Sequence, residues 1–372
     1  MEILQITPEQ AQVFLESEVA ANEIDPSFLQ TPAWAQVKVG WGSKVIGFFE
    51  AGKLIGTALV LARKIPKLNR YFLYIPEGPA LAAKYLEQAI PLLREYAISQ
   101  NGFALRVGPM VIKNRWDSET IKEALADESK KSLQQVTPSW INPDANAIEN
   151  ILRSNGFNPS VDDVNGFAAG QPKYIYQLAL TEKSEADVLA GFNQLWRRNI
   201  KKGEKENVEV IRGSREDLAK FHKVYLETAA RDHFTPRPLL YFEKMWDAMR
   251  KNNENNFTLF LAKWNETIIA ATILVTLNKH SWYLYGASSA YGREARGSNV
   301  LQWAMMQQSL RSNCDIYDLR GITSTVDQND AHAGLIQFKV GVGGYATELI
   351  GEWDLPLNKL LYRAFRAYLN RK

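Results

Sequence analysis

Residues 256–278, NFTLFLAKWNETIIAATILVTLN, decide the fold, because they read as a strand, a polar turn at 264–267 and a second strand. A third strand, HSWYLYGASSA, follows directly. After it come a helix, SNVLQWAMMQQSLRS, and a closing strand, CDIYDLRGI. The order in this half of the chain is therefore three strands, one helix and one strand.

The same order occurs in the first half of the chain. Residues 44–64, KVIGFFEAGKLIGTALVLARK, read as a strand, a turn at 50–53 and a strand. A third strand, YFLYIPEGPAL, a helix, AKYLEQAIPLLREYAISQ, and a closing strand, GFALRVGP, follow. The two closing strands even share a Leu-Arg pair, Leu105-Arg106 and Leu319-Arg320. Five elements in the same order indicate an internal duplication.

Strands and helices in this order predict an α/β (α+β) fold with a mixed sheet. Helical segments also precede each hairpin, EQAQVFLESEV and TPAWAQVKVG in the first half, LAKFHKVYLETAARD and LLYFEKMWDAMRKN in the second. This order resembles the acyl-CoA N-acyltransferase (GNAT) fold, used twice in tandem. No heptad run appears, so we expect no coiled-coil arm.

The domain boundary is expected near Ser160 to Gln171, where NPSVDDVNGFAAGQPK is polar and rich in Gly, Pro and Asp. The segment ATELIGEWDLPLNKLLYRAFRAYLNRK supplies a strand and a last basic amphipathic helix. We expect residues 1–165 with 350–372 to form the first GNAT-like domain. We expect residues 166–349 to form the second.

The composition limits the classes of function. The chain has 372 residues, which suits two domains, and 46% of them are hydrophobic and 23% charged, as in an ordinary globular protein. The net charge of +3 is too small to indicate nucleic-acid binding by itself. Any basic surface must therefore come from local clustering of cations.

Cysteine, histidine and the N-terminus indicate the compartment. Cys314 is the only cysteine, so no disulfide forms within the chain, and the four histidines lack metal-ligand spacing. MEILQITPEQ lacks the pattern of a signal peptide, and the longest apolar runs are shorter than a membrane span. We expect a cytoplasmic protein without a metal site, and a peripheral contact with the inner membrane surface stays open.

A basic stripe marks the segment NQLWRRNIKKGEKENVEV. Its cations fall on one face of a helix, beside an apolar stripe that includes Trp196 and Ile200. A solvated helix face and a binding surface for a phosphate-rich partner both fit this pattern. The stripe consists of Arg197, Arg198, Lys201, Lys202 and Lys205.

Two further cations stand next to aromatic residues. Lys38 lies three residues before Trp41 in TPAWAQVKVGW, where a lysine on an amphipathic helix is the simplest interpretation. Arg237 lies between two prolines in HFTPRPLLYF, and the hydroxyl of Tyr241 can join it if a helix begins at the second proline. Its guanidinium suits a diphosphate or, alternatively, pairs with Asp232.

Lys339 lies in residues 334–344, GLIQFKVGVGG, near the end of an apolar helix and before three glycines. Lysine is almost never fully buried without a partner. It could offer positive charge to a developing oxyanion, with the glycines letting a ligand come close or letting the chain turn. It could also be a helix C-terminal lysine favoured by the helix dipole, and spacing alone favours this second interpretation.

Several of these stretches together resemble the FemABX family of non-ribosomal peptidyltransferases. They are QTPAWAQVK, LWRRNIKKGEKENVEV, TPRPLLYF, YDLRGI and GLIQFKVGVGG, in the order of the family. Because it lacks a coiled-coil arm, the chain resembles the compact members of the family. The resemblance implies transfer of an amino acid, Ala, Gly or Ser, from aminoacyl-tRNA to the stem peptide of a peptidoglycan precursor, UDP-MurNAc-pentapeptide or lipid II. It implies a monomeric aminoacyltransferase that needs no cofactor.

The resemblance also assigns roles to residues. Lys38, with Trp41 nearby, matches the lysine that binds the diphosphate of the UDP-sugar precursor. Lys339 matches the lysine thought to act at the aminoacyl ester and the terminal adenosine of tRNA. The group on the other side of the diphosphate would be Thr235, Arg237, Tyr241 and Tyr283, with Tyr285 as the alternative to the last.

One position departs from the family. Gly108 precedes Pro109 in LRVGPM, where family members often carry an Asp-Pro. The carboxylate sometimes proposed there as general base is therefore absent, which leaves the proton acceptor and the acceptor substrate open.

Two other functions compete with this hypothesis. An acyl-CoA-dependent N-acyltransferase would use YGREARGSNVLQWA as its pyrophosphate loop, but residues 296–299 keep only one of the two expected glycines. A non-catalytic protein that binds tRNA or a cell-envelope precursor would keep the basic stripe and would not need Lys339.

Overall fold

The computed structural model describes residues 1–160 and 170–369. They form two compact units. The first comprises Met1–Asn114, Trp140–Lys173 and Glu348–Lys372, and the second Arg115–Ser139 and Tyr174–Thr347. The expected boundary at 165 lies outside the described residues, and the division at 166–349 stays a prediction. The structure differs in one segment, since Arg115–Ser139 lies in the second unit.

The strands carry labels in chain order. They are β1 (Glu2–Gln5), β2 (Gly42–Glu50), β3 (Lys53–Lys64), β4 (Tyr71–Ile75), β5 (Ala80–Leu81), β6 (Gly102–Val107), β7 (Ile112–Asp117), β8 (Trp140–Ile141), β9 (Asn158–Pro159), β10 (Tyr174–Ala179), β11 (Glu209–Gly213), β12 (Phe257–Trp264), β13 (Thr267–Leu277), β14 (His280–Ser288), β15 (Ile316–Ile322), β16 (Tyr345–Leu349) and β17 (Trp353–Pro356).

The α-helices are labelled in the same way. They are α1 (Pro8–Val13), α2 (Pro32–Val37), α3 (Leu86–Ser99), α4 (Ser118–Ala126), α5 (Ala145–Ser154), α6 (Glu185–Ala190), α7 (Gln194–Lys205), α8 (Leu218–Asp232), α9 (Leu239–Met249), α10 (Gly297–Arg311), α11 (Ala333–Val340) and α12 (Lys359–Leu369). Within the described residues, no helix has the length and apolar character needed to cross a bilayer.

The first unit contains a twisted mixed sheet in the order β1-β2-β3-β4-β6-β17-β9. Its neighbours run antiparallel except β4 and β6, which are parallel and are joined through α3. A parallel connection of this kind needs a crossover, and a helix is the usual one. The apolar face of α3, including Ile90 and Leu93, is buried against the sheet.

The second unit repeats this arrangement in the order β11-β12-β13-β14-β15-β10-β16. Here β14 and β15 are the parallel pair, with α10 as the crossover, and the bonded pairs from β11 to β14 are antiparallel. The tandem GNAT-like fold predicted from the sequence is thereby confirmed. The hairpins and their turns also lie where the sequence predicts them.

The sixth strand of each sheet is distant in the chain from the strand that it pairs with. Strand β10, which follows the elements of the first unit, pairs with β15 in the second. Strand β17, which follows the elements of the second unit, pairs with β6 in the first. The two sheets thus exchange their sixth strands in chain order.

The parallel pairs differ in length between the two units. In the first unit the pairing extends from Tyr71↔Gly102 to Ile75↔Val107, over the whole of β4. In the second it ends at Trp282↔Asp318, and β14 and β15 continue without bonding each other. Because ligands of open α/β sheets bind beyond the carboxyl ends of parallel strands, the divergence of β14 and β15 marks the place for a site.

Candidate functional site

Lys339 is bound to the end of β15. Its Nζ donates to the carbonyl oxygens of Leu319 at 2.7 Å, Arg320 at 3.2 Å and Gly321 at 2.6 Å. These carbonyls belong to the part of β15 that β14 no longer accompanies. An ammonium has three N–H groups and an amine only two, so the charged form alone satisfies all three carbonyls.

The surroundings of Lys339 are buried and polar. Its side chain is 3% exposed, and burial lowers the pKa of Lys339 to about 7, an effect that the nearby Asp318 opposes and the Arg320 charge reinforces. Asp318 accepts from the Arg320 N–H at 2.6 Å and from Gln177 Nε2 at 3.2 Å. Although burial acts to raise it, the pKa of Asp318 is lowered by His280 and Arg320. The cation is thus buried rather than facing an exposed channel.

The glycines after Lys339 serve chain packing. A Cβ on Gly341 would lie 2.3 Å from Cδ1 of Trp196, and one on Gly344 would lie 2.2 Å from the carbonyl oxygen of Gln177. Gly344 also has a φ of +79°, which side chains disfavour. The close contacts, and the positive φ of Gly343 and Gly344, favour packing and a sharp turn of the chain, the second of the two roles expected for these glycines.

The basic stripe lies on α7, which is attached directly to α11. Asn193 caps the helix by accepting from the Trp196 N–H at 2.9 Å. The Trp196 indole donates to the Phe338 carbonyl at 2.8 Å, and the two rings lie 4.7 Å apart. All five cations are exposed, and none pairs with a carboxylate within the described residues: Arg197, Arg198, Lys201, Lys202 and Lys205.

Arg237 is held beside an aromatic cluster at the start of α9. The helix begins at Leu239, as the proline pattern predicts, and the Arg237 guanidinium lies 5.2 Å from the centre of the Tyr241 ring. The alternative partner, Asp232, pairs with Arg231 at 2.9 Å. Arg237 has no carboxylate partner within the described part of the chain, so its charge is available to an anion.

Tyr285, the alternative to Tyr283, joins this group. Its hydroxyl lies 3.1 Å from that of Tyr241, and burial raises the pKa of Tyr285 against the opposing charges of Arg237 and Arg320. Tyr283 instead packs against the core of the unit, where burial raises its pKa to about 12. Thr235 is exposed in the loop before Arg237. Through Arg320 the tyrosine group adjoins the carbonyls that hold Lys339.

A cavity of about 420 Å³ lies at the N-terminus of α10. Trp196 and Phe338 form part of its apolar wall. Arg296 has a φ of +61° and precedes Gly297, the first residue of the helix. The polar side chains that line the cavity suit a phosphorylated or hydroxylated ligand, and they include Asn193, Asn199, Arg293, Arg296 and Asn299.

Lys38 and Trp41 lie in the first unit. Lys38 follows the last residue of α2, and its Nζ lies 5.2 Å from the centre of the Trp34 ring. The Trp41 ring contacts that of Phe72 at 6.3 Å, and the Arg63 guanidinium lies 5.8 Å from its centre. The two residues predicted to bind a diphosphate thus lie among aromatic rings and a further cation.

The first unit also contains a buried ionic cluster that the sequence did not predict. Arg106 forms a bidentate pair with Asp354, at 2.7 and 2.8 Å, and its Nη1 lies 3.5 Å from Glu352. The hydroxyl of Tyr74 donates to Glu352 and that of Tyr362 to Asp354. Two carboxylates therefore share one guanidinium, and burial raises the pKa of Glu352 to about 7.

Glu352 lies beside Gly108, the position noted in the sequence for its lack of a carboxylate. A Cβ on Gly108 would be 3.4 Å from Cγ of Glu352. The only signal in the sequence for this cluster is Arg106, which stands in the repeated Leu-Arg pair. Its partner Asp354 is 248 residues away in the chain, so only the exchange of β17 brings the two together.

Comparisons with known proteins agree with this fold. A family model described as the FemAB family matches residues 16–266 and 252–370. The lipid II:glycine glycyltransferase of Staphylococcus saprophyticus is 25% identical over 433 residues, which cover 98% of this chain and 95% of that protein. The protein of the same name from Staphylococcus epidermidis is 25% identical over 97% of this chain and 94% of its own length.

Solved structures show the same architecture. The crystal structure of FemX superposes with a TM-score of 0.78 at 23% identity, covering 98% of this chain and 99% of that one. A tandem GNAT protein from the clavulanic acid biosynthesis pathway gives a TM-score of 0.50 at 10% identity over 95% of this chain. Because the sequence identities to both structures are low, these two similarities support the fold alone.

Proposed function

The chain belongs to the FemAB family, and from this membership we propose that it transfers an amino acid from aminoacyl-tRNA to an amino group on the stem peptide of a peptidoglycan precursor. Its relatives are named lipid II:glycine glycyltransferases. The observation that carries the proposal is Lys339, a buried cation held at the divergence of β14 and β15. We propose that the reaction takes place in the cytoplasm, where aminoacyl-tRNA is found.

The second unit is proposed as the donor side. The stripe on α7, whose cations pair with no carboxylate among the described residues, would bind the phosphates of the tRNA acceptor arm. Trp196 and Phe338 connect this helix to Lys339 and also line the cavity at α10. An aminoacyl end bound in the cavity would be close to α11. The stripe, the cavity and Lys339 all belong to the second unit.

The chemistry is the attack of an amine on an ester. The new C–N bond forms as the ester C–O bond breaks, the tRNA hydroxyl leaves, and the proton lost by the amine goes to that oxygen. Lys339 would donate to the tetrahedral oxyanion by releasing its longest bond, that to the Arg320 carbonyl. Orientation would supply most of the rate, since the ester is already activated.

The acceptor side is proposed at the cations that suit a diphosphate. Each unit offers its own candidates for binding a diphosphate, Lys38 and Trp41 in the first unit and Arg237, Tyr241 and Tyr285 in the second. Thr235 stands in the same loop as Arg237. We propose Ala, Gly or Ser as the transferred amino acid, because the resemblance to the family implies a small one.

The first experiment measures transfer of radiolabelled amino acid from a mixed aminoacyl-tRNA pool to UDP-MurNAc-pentapeptide and to lipid II. We expect RNase-sensitive transfer, reduced roughly a hundredfold to thousandfold by Lys339→Ala. Arg237→Ala should raise KM for the precursor. Lys251→Ala, at an exposed lysine outside the proposed site, is the matched control.

Other outcomes would redirect the proposal. Transfer that survives RNase and requires acyl-CoA would assign the cavity at Arg296 to a pyrophosphate and make the protein an N-acyltransferase. Binding of tRNA without transfer to either acceptor would indicate a non-catalytic protein. Full activity of Lys339→Ala would exclude the lysine from the chemistry.

A further inference from the structure

A surface of the first unit carries cations without compensating acids. Residues 51–76 contain five lysines and arginines and no aspartate or glutamate, and neither acid occurs in 355–372. Seven of these cations have no carboxylate partner within the described residues. They are Arg63, Lys64, Lys67, Arg70, Lys359, Arg363 and Arg366.

The two segments form one surface, because aromatic contacts join them. The Arg63 guanidinium lies 5.8 Å from the centre of the Trp41 ring, and the Trp41 and Phe72 rings lie 6.3 Å apart. Phe72 in turn lies 4.7 Å from Phe365 of α12. We call this surface the cationic patch: the β3–β4 turn at 63–70 together with the outer face of α12.

Helix α12 presents its cations and an apolar residue to the outside. Phe365 is held between the rings of Phe72 and Phe103, which fixes the inner face. On the outer face Leu360 is 78% exposed. Lys359, Arg363 and Arg366 recur along one flank, where they line an open groove. This is the pattern of a helix that lies in a membrane interface.

Apolar side chains also stand among the cations elsewhere on the patch. Leu68, between Lys67 and Arg70, is 44% exposed, and Val39, next to Lys38, is 65% exposed. A nucleic acid would satisfy the charges but not these aliphatic groups. An anionic bilayer satisfies both, because its headgroups attract the cations and its acyl boundary receives the apolar tips.

We propose that the cationic patch docks the first unit on an anionic phospholipid membrane. The cationic patch adjoins Trp41, one of the residues assigned to the precursor diphosphate, so a lipid-linked precursor would reach the site from the same membrane. Only this last step rests on the proposed function. The docking itself stands on the charges and the exposed apolar residues.

The test is co-sedimentation of the full chain with phosphatidylcholine vesicles that contain or lack phosphatidylglycerol. We expect binding only to the anionic vesicles, weakening with salt. Lys67→Glu with Arg70→Glu, or Lys359→Glu with Arg363→Glu, should each reduce binding by about thirtyfold or more, as expected for two cations near an anionic surface. Lys130→Glu with Lys251→Glu, the same charge change in the second unit, should leave binding unchanged.

A second variant tests the apolar contribution. Leu68→Ser with Leu360→Ser keeps every charge and should weaken the binding that persists at high salt. Thermal unfolding checks that all variants fold. Equal vesicle binding by the patch and control variants, or loss of tRNA binding in place of vesicle binding, would overturn the inference.

The transfer assay separates this inference from the proposed function. Patch variants should retain transfer to soluble UDP-MurNAc-pentapeptide and lose transfer to lipid II in vesicles. Vesicle binding without transfer to either acceptor would remove the proposed function and leave the docking surface. Transfer to the soluble acceptor without vesicle binding would remove the docking surface and leave the proposed function.

Discussion

At the scale of single residues, Glu352 shows how burial sets the behaviour of a charge. Arg106 interacts with two carboxylates. It forms a bidentate pair with Asp354, and its Nη1 lies 3.5 Å from Oε2 of Glu352. The raised pKa follows, because burial disfavours a second negative charge that is only partly compensated. Glu352 is thus a group that can hold a proton near neutral pH, and it lies beside Gly108.

Glu352→Gln should change how stability depends on pH. The pKa of Glu352 is about 7 in the folded protein, against an ordinary value of 4.5, so the folded protein binds more protons between these values. Its unfolding free energy therefore falls as pH rises from about 4.5 to about 7. Glu352→Gln has no carboxyl group to titrate, so its unfolding free energy does not fall in this way. Above pH 7 that free energy should exceed the wild-type value by up to about 3 kcal/mol.

Urea unfolding at a series of pH values measures this difference. Glu95→Gln, at an exposed glutamate, is the control and should follow the wild type at every pH. Parallel curves for Glu352→Gln and the wild type would show that the carboxyl titrates normally.

Single residues were the least predictable part of the molecule. Lys339 drew attention in the sequence because a lysine followed an apolar run, yet its three carbonyl partners depend on where β14 and β15 part. The choice between Tyr283 and Tyr285 also depended on the fold, since only the second lies beside Tyr241. Side-chain partners that are distant in sequence follow from topology, which local patterns do not contain.

At the scale of elements, α7 combines a fixed face and a free one. Its inner face is locked by Trp196 and Ile200, while the stripe stays in solvent. If the stripe binds tRNA, Arg198→Ala and Lys202→Ala should each weaken binding. Each should also lower the dependence of log K on log salt by about 0.7–0.9 for every phosphate that is no longer neutralised. Filter binding across a salt series measures this.

The controls for the stripe are Lys130→Ala and Lys251→Ala, each of which removes one positive charge elsewhere in the second unit. Each should leave the salt slope unchanged. Equal slopes in stripe and control variants would assign the stripe to a solvated surface.

The junction of α7 and α11 depends on Gly341. Gly341→Ala would place a Cβ 2.3 Å from the Trp196 ring, and such overpacking typically costs about 1–3 kcal/mol. Gly334→Ala on the same helix meets nothing within 4 Å and should be neutral or stabilising by about 0.5–1 kcal/mol. Thermal unfolding distinguishes them, and similar midpoints for the two would contradict the packing.

Elements were well predicted from sequence where their signals are local. Both hairpins, their turns, the crossover helices and the start of α9 after a proline follow from spacing and turn residues. The glycines after Lys339 were predicted as a turn or a ligand approach, and the structure favours the turn, with close packing against Trp196 and Gln177. Local patterns do not reveal which neighbour a small residue accommodates.

At the scale of the whole molecule, the duplication predicted the tandem fold, and the repeat of strand order confirms it. The sequence led us to expect β10 in the second domain and β17 in the first, but local patterns did not predict that these strands pair with β15 and β6. It also assigned Arg115–Ser139 to the first domain, whereas contacts assign it to the second unit.

Removing residues 353–372 should damage the first unit selectively. The deletion takes β17 from beside β6 and Asp354 from Arg106, and a buried charge that loses its partner costs about 3–5 kcal/mol. We expect loss of amide hydrogen-exchange protection in β4 and β6. Retention of that protection would show that the sheet is stable without β17.

The exchange of strands also has a consequence for biosynthesis. The 248 residues between Arg106 and Asp354 take roughly 12–50 s to translate at about 5–20 residues per second. Throughout that interval β6 has left the ribosome while its partner strand does not yet exist. Its open edge can pair with another nascent chain, so the soluble yield of this protein should depend on how fast the ribosome reaches the codons of β17.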